Sequence, residues 1–317
     1  MPDSSPSSVA AFSAAPVHSN DRLSRSGVAA AVGAFIIWGA FPIYLAPLAS
    51  VSALQITAHR VVWSFLFVLG WLAARGELGL LIAAVVRRGV IKRLIASAAL
   101  ITVNWLAFVW AVNANHVVDV SLGYYINPLV NVLLGIVVLS ERLNRMQWTA
   151  VALAAAGVAY LTFETGHIPW AALAVALSFA LYGLIRKTVA VDALPGLAIE
   201  LTLLLPLAAG YLVWCELAGV GAMGHAGLGI DLVFVLGGPL TAIPLFLFAY
   251  GARLIPYSTV GVLQYIGPTG QLACAIWYFG EPFGRARVAG FVLIWAALIL
   301  YAVDGLMTNA RARRAAA

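Results

Sequence analysis

The sequence predicts an all-α membrane protein of ten transmembrane helices, arranged as two inverted repeats of five helices. Two observations support this fold class. Of the 317 residues, 63% are hydrophobic and only 9% are charged, whereas soluble globular domains carry about 25% charged residues. A hydrophobic segment with the motif Tyr-Ile-x-Pro also occurs twice, at 125–128 and, 140 positions later, at 265–268.

The composition also limits the chemistry of the chain. Its apolar runs are continuous, which indicates helices and not the alternating pattern of a membrane barrel. The net charge of +6 comes from basic residues in short loops, so it indicates membrane orientation and not a nucleic-acid partner. Cys215 and Cys274 lie in apolar segments without metal-ligand spacing and are interpreted as packing residues. The sequence has no phosphate-binding loop and no zinc motif, so we expect no cofactor and no metal.

Ten apolar segments follow a start that is rich in Ser, Ala and Pro. Residues 1–26 have no basic n-region and are predicted to form a disordered cytoplasmic tail. Since a crossing needs about 20 apolar residues, the spans are placed at 27–46, 52–74, 91–112, 117–139, 147–163, 169–187, 196–216, 231–251, 257–279 and 287–306. Residues 307–317 are predicted to form a basic cytoplasmic tail.

The loop charges predict the orientation of these spans. If the amino terminus is cytoplasmic, 15 of the 18 Lys and Arg residues fall on cytoplasmic segments, Arg145, Arg186 and Lys187 among them. Cytoplasmic loops of membrane proteins carry such an excess of basic residues. The asymmetry therefore predicts that both termini are cytoplasmic.

The repeat also predicts a transport mechanism. Its period divides the chain into a first five-helix repeat at 27–163 and a second at 164–306. Because five crossings are an odd number, the second repeat enters the membrane upside down. Inverted repeats are typical of secondary transporters, whose binding site lies near mid-membrane between the halves.

Further motifs occur in order along all ten spans. They are Phe35-Ile-Ile-Trp-Gly39, Thr57-Ala-His-Arg60, Asn104-Trp105, Trp110-Ala-Val-Asn113, Ser121-Leu-Gly-Tyr-Tyr-Ile-Asn-Pro-Leu-Val-Asn131, Ser140-Glu-Arg142, Phe179-Ala-Leu-Tyr-Gly183 and Gln264-Tyr-Ile-Gly-Pro268. Together these motifs resemble the EamA-type transporters of the drug/metabolite transporter superfamily. The resemblance implies ten helices in two inverted repeats, in the bacterial cytoplasmic membrane, and implies no particular substrate or coupling ion.

Ionisable residues inside spans are the first candidates for a function, because burying them in hydrocarbon is costly. His59 and Arg60 lie about eight residues into span 2. Arg60 could attract an anionic substrate group, and His59 could accept a proton because its reference pKa is about 6.5; alternatively, both form a structural clamp. Glu200 on span 7 could carry a proton, be the fixed partner of a basic residue, or lie solvated at the membrane interface. Its depth argues against a pair with Arg60 unless a helix is tilted or broken.

The two repeated prolines are the second candidates. Pro128 and Pro268 each remove a backbone N–H and free the carbonyl four residues earlier, at Tyr124 and Gln264. These kinks would bring free carbonyls close to three amides, Asn127, Asn131 and Gln271. The pattern indicates either a site with a hinge or a packing kink.

Aromatic side chains at depth could hold a substrate. Trp38, Trp105, Tyr125 and Tyr265 lie well inside their spans, where they would stack on an aromatic or amphiphilic solute or pack against helices and lipid. Asn104, next to Trp105, completes the predicted substrate and ion pathway.

Two other repeated features are interpreted as structural. Glu141 and Arg145 recur as Glu281 and Arg285, and each pair is expected to be a loop cap with a surface ion pair of little consequence for transport. Small residues also recur on spans 5 and 10, which predicts close helix packing and leaves a homodimer face open. They are Ala150, Ala154 and Gly157, matched by Gly290, Ala296 and Ala297.

These observations favour a secondary carrier that exports a small organic metabolite or drug-like solute, driven by a gradient or coupled to an ion such as H+. The alternative is a non-transporting membrane scaffold or regulator. An intramembrane enzyme ranks last, since His59 has no evident Ser, Cys or carboxylate partner in the sequence.

Overall fold

The computed structural model describes residues 17–79, 88–113, 117–163, 170–280 and 285–316. Every regular element in these ranges is a helix, which confirms the all-α prediction. The α-helices are α1 Val17–Gly39, α2 Phe41–Leu45, α3 Ala53–Ala74, α4 Arg88–Asn113, α5 Val117–Val137, α6 Arg145–Phe163, α7 Trp170–Thr188, α8 Ala193–Leu217, α9 Leu228–Leu254, α10 Tyr257–Gln264, α11 Ile266–Trp277 and α12 Arg285–Ala316. A short 3₁₀ helix, Ala46–Leu48, follows α2.

Many of these helices are long and apolar enough to cross a membrane. Within the described ranges, seven pass this test alone, and an eighth crossing results if Ser24–Gly39 and Phe41–Leu48, bent by 40°, form one span. The apolar part of α5, Gly123–Val137, is shorter. The chain is therefore a multi-pass membrane protein.

Several span boundaries differ from the sequence prediction. Helix α1 starts at Val17 and ends at Gly39, where the sequence predicts one span at 27–46. Pro42 lies in the first turn of α2, where its missing backbone N–H would have no partner within the helix in any case, so it favours the start of a new helix. The predicted span at 257–279 is two helices divided at Tyr265, and α12 continues as a helix through the predicted tail to Ala316. Residues 1–16 of the predicted amino-terminal tail lie outside the described residues.

The helices pack in a few strong pairs. Helix α1 lies on α9, α3 lies on α8 and α9, and α4 lies on α7. Helix α5 contacts both α7 and α10, while α6 and α12 pair with each other at one flank. The largest apolar core is formed by α1, α3, α4, α7, α8, α9 and α10, with Phe35, Tyr182 and Phe248 among its buried residues.

The small residues of α6 and α12 allow the flanking pair to approach closely. A Cβ atom on Gly157 would lie 2.8 Å from the carbonyl oxygen of Gly290 and 3.1 Å from Ile294. Ala150, Ala154 and Ala297 are buried in the same cluster. These residues therefore pack within one chain and are not available to form a homodimer face. A homodimer stays a prediction.

We expect Gly157→Ala to lower the melting temperature of the purified protein in detergent. The new methyl group would meet a backbone carbonyl, which cannot move aside as a side chain would. The matched control is Gly210→Ala on α8, where a Cβ atom would meet nothing within 4 Å. That change should be neutral or stabilise by about 0.5–1 kcal/mol, the usual helical preference for Ala over Gly. Equal melting temperatures for the two variants would contradict close packing of α6 on α12.

Candidate functional site

A cavity of about 250 Å³ lies between the helices that carry the predicted site residues. Nine of those residues line it: Trp38, Arg60, Asn104, Trp105, Tyr124, Asn127, Gln264, Pro268 and Gln271. Four phenylalanines that the sequence analysis did not single out complete its aromatic wall: Phe35, Phe41, Phe108 and Phe179. The sequence contains a signal for two of them. Phe35 and Phe179 are the first residues of the motifs that end at Gly39 and Gly183, and they lie 144 residues apart.

Arg60 provides the positive charge of the cavity. Ser52 caps α3 by accepting a hydrogen bond from the backbone N–H of Gln55, 3.3 Å away, and Arg60 follows two turns later. Its Nε–H donates to Oγ1 of Thr241 on α9 at 2.8 Å. The close approach of α9 is permitted by Gly238, where a Cβ atom would lie 2.6 Å from the carbonyl oxygen of Trp63.

Aromatic rings lie against the guanidinium group. Its central carbon lies 4.7 Å from the ring centre of Phe41 and 5.7 Å from that of Trp105. Such cation–π contacts contribute about 0.5–2 kcal/mol. Among the described residues, no Asp or Glu forms an ion pair with Arg60, and the cavity lining contains neither. The charge is therefore held in place without being neutralised.

His59 lies on another face of α3. Its ring stacks on Phe234 at 4.1 Å between centres, it is buried, and it does not line the cavity. Successive residues of a helix point about 100° apart, so neighbours at the same depth have different surroundings. His59 therefore packs between α3 and α9, whereas its neighbour Arg60 faces the cavity.

Three amides connect the helices around the cavity. Asn104 donates to the carbonyl oxygen of Val175 on α7 at 2.8 Å, and Asn127 donates to that of Ala176 at 2.7 Å. Asn131 is buried behind the cavity and donates to Oε1 of Gln264 at 2.5 Å, linking α5 to α10. These bonds hold the cavity walls at fixed positions.

The two repeated prolines have different surroundings. Helix α5 runs through Pro128 as one element, and Pro128 is buried outside the cavity lining. In the second copy the chain is divided at Tyr265, and Pro268 lies in the lining three residues later. A shared hinge at both prolines is therefore not observed, and the interruption lies beside the cavity in one copy.

The predicted aromatic residues divide into two groups. Trp38 lines the cavity and packs edge-on against Phe179 at 5.6 Å. Tyr125 and Tyr265, the repeated pair, do not line it. Tyr125 packs edge-on against Phe291 of α12 at 5.4 Å, and Tyr265 is buried in the same flanking cluster. Both tyrosines therefore serve packing against α6 and α12.

Known proteins are similar in sequence to this chain over most of its length. The sequence pattern of the EamA-like transporter family matches residues 25–163. An uncharacterized transporter of Vibrio cholerae serotype O1 is 43% identical over 297 residues, which are 92% of this chain and 96% of the relative. Protein RarD of Escherichia coli strain K12 is 41% identical over 287 residues, which are 90% of this chain and 97% of the relative. The chain belongs to the EamA-like transporter family.

Membership in the EamA-like transporter family confirms the resemblance that the motifs indicate. A solved crystal structure with 19% sequence identity also superposes with a TM-score of 0.69, over 87% of this chain and 96% of that chain, and supports the fold. The family and the Vibrio relative are named as transporters. The chain is thus a membrane transporter and not an enzyme, and the names give no support to a scaffold.

The opposite end of this EamA-like transporter contains a buried ion pair. Nη1 of Arg186 lies 3.6 Å from Oε1 of Glu200, and their side chains are 1% and 3% exposed. Ser97 donates a hydrogen bond to the same carboxylate oxygen, and the Tyr182 hydroxyl donates to Oε2 at 3.4 Å. Glu200 is therefore the partner of a basic residue and does not line the cavity.

Arg186 corrects the count of loop charges. The sequence places it among the basic residues of cytoplasmic segments. Its side chain, near the end of α7, is instead buried in the bundle, and its Nη2 donates to the carbonyl oxygen of Ala193 at 2.7 Å. Its neighbour Lys187 donates to the carbonyl oxygens of Ala252 and Ile255 at 2.7 and 2.6 Å. Both residues tie α7 to its neighbours at this end.

Glu141 forms a second polar connection at the same end. Ser140 has a φ of 55°, and the chain turns back so that the Glu141 side chain reaches the start of α10. Its Oε1 accepts the backbone N–H of Tyr257 at 2.5 Å, and its Oε2 accepts the N–H and hydroxyl of Ser258 at 2.8 and 2.7 Å. A carboxylate at a helix N-terminus binds unpaired N–H groups and is favoured by the helix dipole. We name these bonds the Glu141 clasp.

The clasp differs from the predicted loop cap. Glu141 caps a helix more than a hundred residues later in the chain, and it forms no ion pair with Arg145 among the described residues. Its counterpart Glu281 lies outside the described residues. Close to the clasp, the Tyr257 hydroxyl donates to the carbonyl oxygen of Ala180 at 2.6 Å. This end of the bundle is closed by contacts between distant segments.

We expect Arg186 and Glu200 to be strongly coupled in stability. Arg186→Met or Glu200→Gln alone leaves one buried charge without its partner, which destabilises a protein by about 3–5 kcal/mol. The double variant removes both charges and should lose less than the sum of the two single losses. Denaturant unfolding in mixed micelles measures each free energy of unfolding. The exposed pair Arg75 and Glu77 is the control, for which little or no coupling is expected because solvent screens the charges. Additive losses at Arg186 and Glu200 would contradict the pairing.

Proposed function

We propose that this protein is a secondary carrier that exports a small organic solute across the bacterial cytoplasmic membrane by alternating access. The observation that carries the proposal is a cavity whose polar lining is accessible at one end of the bundle, while the other end is closed. Arg60, Tyr124 and Gln271 are partly exposed. Toward the other end, Asn131 and Tyr257 are fully buried.

Ten spans account best for the observed helices. The seven long helices and the bent pair of α1 and α2 provide eight crossings. Helix α5 adds a ninth, since its 21 residues would extend about 31 Å, close to the hydrocarbon thickness of about 30 Å. The broken helix formed by α10 and α11 provides the tenth.

Helix packing supports two inverted repeats, at 27–163 and 164–306. The strongest contacts between the halves occur in matching pairs, since the contact of α4 with α7 corresponds to that of α9 with α1. Likewise, α5 contacts α7 as α10 and α11 contact α1. Three pairs join equivalent helices directly: α3 with α8, α5 with α10, and α6 with α12. A twofold axis in the membrane plane would produce this pattern.

The orientation follows from the basic residues at the closed end. Arg93 donates to the carbonyl oxygen of Thr188 at 3.2 Å, and Arg253 donates to that of Val191 at 2.5 Å. Since basic residues are enriched on the cytoplasmic side, the Glu141 clasp is cytoplasmic and the cavity faces outward. The geometry then corresponds to the state from which an exporter has released its solute.

The Glu141 clasp joins the first half to the second and must separate when the cytoplasmic end opens. Hydrogen bonds to a charged group contribute about 1.5–3 kcal/mol each. Three such bonds are enough to keep the closed population dominant, and they are within the differential binding energy that a ligand can supply. All three partners can be hydrated after separation, so the connection is reversible.

Transport is tested with the purified protein in liposomes. A panel of labelled organic acids, amines and neutral metabolites is presented with a solute gradient, with and without a proton gradient. We expect saturable movement of at least one solute and counterflow, in which unlabelled solute inside accelerates entry of labelled solute outside. Counterflow requires a site that alternates between the two sides. Absence of movement for the whole panel, or movement without counterflow, would contradict a carrier.

We expect Glu141→Gln to open the cytoplasmic end more often. The amide removes the charge that binds the start of α10, so a reporter thiol at the buried position Ala180→Cys should react faster with a maleimide. Cys215 and Cys274 are replaced by Ala in this background. A labelling rate about tenfold higher corresponds to a shift of about 1.4 kcal/mol in the opening equilibrium. Glu77→Gln, at an exposed ion pair, is the control. Unchanged labelling of a folded Glu141→Gln protein would show that the clasp does not restrain opening.

A further inference from the structure

The guanidinium group of Arg60 has unused hydrogen-bonding capacity that faces the cavity. An arginine carries five N–H donors, and the hydrogen-bond partner of Arg60 among the described residues is Thr241, which accepts from its Nε–H. The four hydrogens on its two Nη atoms make no hydrogen bond with a described residue, and the partly exposed side chain lines the cavity. Thr241 itself is buried on α9 and fixes the plane of the group. The free edge of the guanidinium therefore has a defined position.

The charge of this site is positive. A buried charge inside a membrane protein is paired with another charge or marks a substrate pathway. Two other charges of the described bundle interior have a partner: Arg186 lies 3.6 Å from the carboxylate of Glu200, and Glu141 accepts hydrogen bonds from the start of α10. Arg60 differs from them because Phe41 and Trp105 are the groups that contact its faces. The missing partner is an anion.

From this geometry we propose that the transported solute is a small organic monoanion, whose carboxylate binds the Nη edge of Arg60 and whose flat apolar body lies between the aromatic walls. The inference rests on the proposed function and specifies its substrate class. A planar guanidinium binds a carboxylate through two parallel hydrogen bonds. A single cation, with no acidic residue in the described lining, favours one negative charge and disfavours amines.

The aromatic walls and the volume of the cavity limit the rest of the solute, beyond its carboxylate. Trp38, Phe179 and Phe35 form an aromatic surface on which a ring can stack. The volume of about 250 Å³ is below the range of about 300–1,000 Å³ that is usual for drug-sized ligands. An acid with one ring fits these limits. Oε1 of Gln264 already accepts a hydrogen bond from Asn131, and the described lining has no carboxylate that could pair with an α-ammonium group. The site therefore favours a simple acid over an amino acid.

Binding to the detergent-purified protein tests the substrate class without transport. Phenylacetate is compared with its neutral isostere phenylacetamide, with the cation phenethylamine and with the zwitterion phenylalanine. We expect phenylacetate to raise the melting temperature in a saturable way, and the amide and the amine to have no effect. Equal stabilisation by all four compounds, or by the amine alone, would overturn the proposal.

Variants then locate the binding charge. Arg60→Gln should weaken phenylacetate binding by about 10- to 100-fold, the loss expected for a charge-assisted pair of hydrogen bonds. Arg60→Lys keeps the charge without the planar fork and should show an intermediate loss. Arg75→Gln, which removes an exposed arginine, should bind like the wild type. If Arg60→Gln does not fold, Phe41→Leu tests the same site by removing one of its aromatic contacts. Undiminished binding in Arg60→Lys and Phe41→Leu would overturn the proposal.

Counterflow measurements separate the two proposals. Phenylacetate that binds through Arg60 but never exchanges across the liposome membrane would contradict the carrier function and leave the anion site standing. Counterflow of neutral or cationic solutes, with no binding of monoanions, would contradict the anion site and leave the carrier function standing.

Discussion

The cost of a charge inside a hydrocarbon-facing bundle determines how this transporter is built. Without water, each buried ionisable group needs a partner that neutralises or hydrates it. Arg186 has the carboxylate of Glu200 at 3.6 Å, and Glu141 has the first N–H groups of α10. Both contacts lie at the end of the bundle that is closed. Arg60 has a hydroxyl and two aromatic rings, and it faces a cavity. The same physical requirement therefore separates the groups that hold the structure from the group that is free to bind.

The depth of each residue in the membrane could be predicted from the sequence, and for this reason many of the residues that line the cavity could be predicted too. Apolar runs give the order and approximate depth of the helices, so Arg60, Asn104 and Trp105 could be recognised as polar or aromatic residues in mid-span. The all-α class depends on composition alone. The break at Ala40 was not predicted, because it interrupts an apolar run without changing its hydropathy. Near Tyr265 the sequence predicts a kink, from Pro268, but not a division into two helices.

Rotation about the helix axis and long-range partners could not be predicted. His59 and Arg60 share one depth, but which of them faces the cavity depends on how α9 packs against α3. Arg186 lies near the end of a span, where a long side chain can either extend to the interface or turn inward. Its inward direction depends on Glu200 of another helix. The partner of Glu141 is farther away still in sequence, and no local pattern at Ser140 indicates it.

The proposed inverted repeat would give the charge distribution a mechanical meaning. At the 140-residue offset, the counterpart of Arg60 is Glu200, so equivalent positions of the two halves carry opposite charges. On the proposed twofold layout, exchange of the two conformations would open the bundle near Glu200 and close it near Arg60. Glu200 already has Arg186 and Ser97 as partners, whereas Arg60 has no partner of opposite charge in the described chain. The two access states are then chemically unequal. On the proposed mechanism, an anion would gain its main electrostatic contact from the Arg60 half, and its release would depend on how far that contact weakens as the cavity changes sides.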